Sequence, residues 1–216
     1  MNTPITDIKQ EFKTPLGIIH CGCKYIYNQQ SSIKKKKYEN GSSEILKTAG
    51  HLIEIVSFKI KAPLYNGETL SNSFGWIFRI EKFANIDENI ETYCLLNKIS
   101  EVITFDSTPG EHLDAIQAYN HEWTLHIGTE DGEILNLRAQ NNDWFPLRLQ
   151  NKEDFYHSIT EIKQNGFVTK IPKLNKDEKI HIQYLAAYDN KSNQKIHTWL
   201  AVDMSKKNLE EWIGIE

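Results

Sequence analysis

The sequence predicts an α+β protein built on an antiparallel, hairpin-rich sheet with three or four short helices at its periphery. Residues 123–139 (WTLHIGTEDGEILNLRA) place apolar side chains at alternate positions on either side of an Asp-Gly pair, the pattern of two strands and a turn. Residues 180–188 and 196–204 repeat that pattern around a polar loop. Between such stretches, Ser, Thr or Asn ahead of a helix-compatible run marks short capped helices. A β-sandwich or half-open barrel with helices is the alternative that fits the same pattern.

Thr3-Pro4 opens a helix through about Phe12, which Pro15 stops. Residues 16–27 are mostly β-formers and read as a strand. Residues 29–43 (QQSSIKKKKYENGSS) read as a polar linker with a solvated lysine run. Residues 44–61 fit helical spacing first (Ile45, Leu46, Ala49, Leu52, Ile53, Val56) and then a strand. An aromatic-rich strand follows at 74–83, and 87–99 suits either a capped helix or a strand. After a strand at 101–105, Thr108-Pro109-Gly110-Glu111 has capping-box spacing and opens a helix to about Tyr119.

In the 123–139 hairpin, a three-residue loop sets Ile127 opposite Leu135 and asks for positive φ at Gly132. Pro146 makes 142–149 an edge or a loop. Asn151 caps a helix carrying Phe155, Ile159 and Ile162, closed by Gly166. The 180–188/196–204 hairpin faces His181 with Asp203, and Ser205 caps a last helix holding Leu209, Trp212 and Ile213. With 216 residues, the length favours one α+β domain over 1–216.

Glu11-Phe12-Lys13-Thr14-Pro15-Leu16, followed about thirty residues later by residues 44–57 (EILKTAGHLIEIVS), resembles the dimerisation and phosphoacceptor segment of sensor histidine kinases. Membership would imply a helical hairpin bearing a phosphorylated histidine. That family places the histidine just before the Glu, where this chain has Gln10, and no asparagine box or glycine-rich ATP lid follows. No kinase role is carried over.

At 39% hydrophobic and 25% charged, the composition is that of an ordinary globular protein. No run is apolar for long enough to span a bilayer, and residues 1–12 have neither a basic start nor an apolar core, so a cytoplasmic location is expected. Three cysteines make no disulfide framework. Cys21 and Cys23 would need Cys94 and a histidine to hold zinc, so a metal-free, reduced protein without a cofactor is expected. No Gly-x-Ser-x-Gly elbow, phosphate loop or His-Glu-x-x-His occurs.

Charge is uneven. Residues 83–137 hold eleven acids and one base, and both flanks are net basic. Such a block attracts cations and repels nucleic acid. The first expectation is a non-catalytic module, such as an immunity protein or inhibitor, that engages a basic protein through Glu111, Asp114, Glu130, Asp131 and Glu133. The alternative is a small-molecule-binding protein or hydrolase-type enzyme with a pocket on the sheet face at Thr124, His126, Asn136 and Arg138.

Overall fold

Period-two alternation dominates the chain, and its described residues are mostly antiparallel strand with few short helices. The computed structural model describes residues 5–26, 32–60, 72–98, 104–107, 113–191 and 198–215. Its strands are β1 (Ile5–Thr14), β2 (Gly17–Ile26), β3 (Ser32–Lys37), β4 (Gly41–Lys47), β5 (His51–Lys59), β6 (Ser73–Lys82), β7 (Ile90–Lys98), β8 (Thr104–Ser107), β9 (Leu113–Tyr119), β10 (Trp123–Glu130), β11 (Thr160–Lys163), β12 (Gly166–Lys170) and β13 (Lys179–Asn190). Helices α1 (Gly132–Gln140), α2 (Thr198–Val202) and α3 (Lys206–Ile213) are short, and Leu147–Leu149 makes one 3-10 turn.

All pairings among the described residues are antiparallel. They give a small sheet, β1-β2-β7-β12-β11, and a large one, β3-β4-β5-β6-β13-β10-β9-β8. The sheets share a core in which Ile19, Cys21 and Tyr25 of β2 and Phe167 of β12 meet Trp76, Phe78 and Tyr184 of the large sheet. The Tyr184 hydroxyl bonds Thr92 at 2.9 Å and Thr169 at 2.6 Å, so the one polar atom this side chain buries is satisfied from the facing sheet. The other face of the large sheet is covered at its centre by α2 and α3, through Val202, Leu209 and Ile213 packed on Val56, Ile77 and Leu185. Two packed sheets with peripheral helices therefore describe the fold more closely than one sheet, and no barrel closes.

Several expected elements are corrected. The 123–139 hairpin is a strand followed by a helix: Asp131 accepts the Ile134 amide at 2.9 Å as an N-cap, and Leu135 and Ala139, four apart, are its buried apolar side chains while Leu137 is 37% exposed. Gly132 does not have positive φ. It is needed for a different reason, because a Cβ there would lie 2.0 Å from the Tyr156 carbonyl oxygen.

The expected helix at 151–162 is absent. Asn151 Oδ1 accepts the amides of Glu153 and Asp154, but the chain then runs irregularly into β11, which pairs with β12. Residues 5–14 and 51–59 are strands, so the helices expected near 3–12 and in 44–61 do not form, nor does the helical hairpin the kinase resemblance implies. The linker expected at 29–43 is β3 and the start of β4 from residue 32 on; residues 29–31 lie outside the described chain. Residues 113–119 are strand rather than capping-box helix, and 108–112 lie outside the described residues. Residues 198–202 are helix, so β13 pairs with β6 and β10 instead, and His181 faces Arg79 while Asp203 is exposed. The strands at 17–26, 73–82 and 123–130 and the Ser205-capped terminal helix match expectation.

Candidate functional site

At one end of the sandwich a turn, Thr48 to His51, joins β4 to β5. His51 lies directly opposite Lys82, the last residue of β6, and each is only 3% exposed. Alternation puts both on the inner face, in line with Ile53 and Ile80. Glu88, ahead of β7, reaches this turn. Its Oε2 accepts from His51 Nδ1 at 2.7 Å, the Thr48 hydroxyl at 2.5 Å and the Gly50 amide at 3.0 Å. A Cβ at Gly50 would lie 2.4 Å from the Ile86 carbonyl oxygen and 3.2 Å from Glu88 Oε2, so only glycine allows this approach.

Burial works against the Glu88 charge, but the His51, Thr48 and Gly50 donors outweigh it and hold its pKa below the usual carboxylate range. A carboxylate acceptor places the proton of neutral His51 on Nδ1. Nε2 is then the ring's acceptor.

Two adjoining hollows lie here, of which the inner reaches this pair. The inner one, about 250 Å³, is lined by His51, Lys82, Asp87, Glu88 and Lys173, and the outer one, about 390 Å³, by Lys24, Tyr25, Glu91 and Lys170; Asn89, Ile90 and Ile171 line both. Lys173 and Lys82 each lie 2.5 Å from an Asp87 oxygen and pull its pKa down to about 2. Lys24 sits 3.4 Å from Glu91. Lys170, opposite Glu91 and within electrostatic reach of Glu161, makes no close ion pair among the described residues and sits at the lip of an apolar floor. Chemically, the cleft offers an apolar wall, an exposed ammonium and an oriented imidazole that accepts a hydrogen bond.

No family model and no curated protein matches this chain. Among solved structures it is similar to "Putative kojibiose phosphorylase from human microbiome", at 8% identity and a TM-score of 0.42, over 98% of this chain and 29% of that chain. The chain thus spans under a third of that protein's length, and a likeness this distant bears on neither activity nor substrate.

The acids expected to form a docking patch are largely spent inside the molecule. Glu130 is buried against Arg138, Asp131 caps α1, and Glu133 and Asp114 are half-buried; Glu111 lies outside the described residues. Asp87, Glu88, Glu91 and Glu130 all pair with bases from outside the acidic block, namely Lys82, Lys173, His51, Lys24 and Arg138. Folding therefore cancels much of the asymmetry seen along the chain. Asp106 and Glu122 remain exposed.

The expected sheet-face pocket does not form either. Thr124 accepts from Gln117 at 3.0 Å, and His126 Nδ1 lies 2.9 Å from the Thr198 hydroxyl under α2. Asn136 and Arg138 belong to α1, where Asn136 bonds the Gly132 and Phe155 carbonyls. All four are buried and committed to internal bonds. Cys21 faces Cys94 across β2 and β7, and all three cysteines are free and buried. Burial pushes the Cys23 thiol up to about 12. Among the described residues, no three His, Cys, Asp or Glu side chains are grouped to hold a metal, and no helix is long and apolar enough to cross a membrane.

The His51–Glu88 pair was missed because 37 residues separate its members and His51 fell in a segment read as helix. The signal was present: as a strand, His51, Ile53 and Ile55 alternate onto the core face, which buries the histidine and demands a partner for it.

Proposed function

We propose that the protein is a small-molecule-binding protein whose ligand is an organic anion with an apolar body, held at the open end of the sandwich. One observation carries this reading: the apolar wall of Ile90 and Ile171 is bordered by the exposed Lys170 ammonium and ends at the carboxylate-held His51 imidazole. The anionic group meets Lys170, the apolar body lies on the isoleucines, and a polar end of the ligand donates to His51 Nε2. Titration calorimetry with short aliphatic and aryl carboxylates is expected to show binding, with the matching neutral amides weaker. Lys170→Ala is expected to weaken the acids by about tenfold, as loss of one charge-assisted bond does, and Ile171→Trp to block the cleft. Equal affinity for acids and amides, or indifference to both variants, refutes the reading.

A second reading is docking of a basic protein on the acids of β8, β9, the turn after β9 and α1. It is supported by Asp114, whose pKa is raised by burial and by the nearby Asp131 charge, a field that a cationic partner would relieve. Asp106→Lys with Glu122→Lys is expected to slow association with a lysine-rich polypeptide by about tenfold at low salt, as exposed rim charges do. An unchanged, salt-independent rate excludes it.

A further inference from the structure

A second cleft, of about 260 Å³, lies where the loop after α1 faces the turn before β13; Asn142, Trp144, Pro146, Asp177 and Lys179 help line it. The backbone around it is strained. Among the described residues, the non-glycine residues with positive φ are Asn142 at 49°, Trp144 at 48° and Asp177 at 69°, and all three line this one cleft. Asn and Asp tolerate the left-handed region, but for a bulky tryptophan it is an outlier that surrounding structure must impose.

That structure is visible. Arg138 donates to the Asp143 carbonyl at 3.2 Å and to the Trp144 carbonyl at 3.1 Å, and the His181 amide donates to the Trp144 carbonyl at 2.9 Å. The Arg79 guanidinium lies 4.1 Å from the centre of the Trp144 ring. A buried arginine, a strand amide and a stacked guanidinium thus hold one indole in place, although a glycine there would satisfy the turn without strain. Strain concentrated in this way is characteristic of ligand sites.

The polar groups define the ligand. Glu178 is taken by Arg148 at 2.6 Å and Lys179 by Glu81 at 3.2 Å, while Asp177 makes no ion pair among the described residues. Lys179 Nζ is also 5.3 Å from the Trp144 ring centre, so a cationic ligand meets repulsion beside the indole and an anionic one meets Asp177. A neutral polyol avoids both. We propose that this cleft binds a single neutral sugar ring, its C–H face toward Trp144 and its hydroxyls bonding Asp177 and Asn142.

Calorimetric titration of the full chain with methyl glycosides of glucose, galactose and mannose is expected to show millimolar binding of at least one. Lysine amide and acetate are the charged comparison probes. Asp177→Gly separates function from structure, because glycine relieves the left-handed backbone while deleting the carboxylate. It is expected to hold or raise the thermal midpoint and to weaken sugar binding by about tenfold or more, since a hydroxyl loses its charged acceptor. Trp144→Gly is expected to abolish binding. The proposal is overturned if no glycoside binds, if only a charged probe does, if sugar binding is indifferent to both variants, or if Asp177→Gly lowers the midpoint by several degrees.

Discussion

Replacing Arg138 with Met is expected to destabilise the fold by about 3–5 kcal/mol, the range for removing one partner of a buried ion pair. Arg138 and Glu130 are each 6% exposed and hydrogen-bonded to one another. Arg138 also donates to the carbonyls of His181 at 3.1 Å, Trp144 at 3.1 Å and Asp143 at 3.2 Å. Its loss leaves Glu130 as a buried charge without a counterion and removes three bonds to carbonyls that tie α1 and its following loop to β13, although the Trp144 carbonyl keeps the His181 amide. The double variant Glu130→Gln with Arg138→Met is expected to recover part of the loss, because no isolated charge remains while the carbonyl bonds are still missing. Urea denaturation at pH 7 measures both. A loss below about 1 kcal/mol in the single variant would show that water reaches Glu130 and that the pair does not organise the loop.

How far the sequence could be read follows from which signals are unambiguous. Strands β2, β6 and β10 were legible because β-branched and aromatic residues dominate them and no helical register competes. Caps were not legible from composition alone. Asp131-Gly132 offers the same atoms to a tight turn and to a helix N-terminus, and the decision is made by Leu135 and Ala139, which must be buried together. Asn151 likewise satisfies two amides whether or not a helix follows.

The lysine run at 34–37 reads as linker by hydropathy, yet it occupies β3, an edge of the large sheet with all four side chains exposed. Lysine at an edge opposes further strand pairing, so low hydropathy there is compatible with a strand. The candidate site was the least legible part. His51 and Glu88 meet only because the segment before β7 folds back over the β4–β5 turn, a long-range contact no local pattern encodes. The acidic block misled for the same reason, since its countercharges come from distant strands.

Stability is expected to fall as pH is lowered from 7 toward 4, with His126 as the main early contributor. Its ring is 2% exposed, bonds Thr198 at 2.9 Å and meets Trp199 edge-on at 5.9 Å; burial pushes its pKa down to about 4. An unfolded histidine titrates near 6.5. Between those two values the unfolded chain binds a proton that the folded one refuses, so stability rises with pH across the window, is complete above about 6.5 and is lost as pH falls. At about 1.4 kcal/mol per pH unit, the loss attributable to His126 by pH 4 is on the order of 3 kcal/mol. Burial, with the Arg138 charge adding to it, also lowers the His181 pKa, which contributes with the same sign. Below about pH 4.5 the depressed Glu88 adds a further loss as it is forced to protonate. His126→Asn keeps a hydrogen-bonding group near Thr198 but cannot take up the proton. It is expected to be less stable than the natural chain at pH 7, and its stability should decline between pH 6.5 and 4 by about 3 kcal/mol less. Urea denaturation at half-unit pH steps compares the two curves, and parallel curves across that window would mean that His126 is protonated in the folded state and that α2 does not shield it.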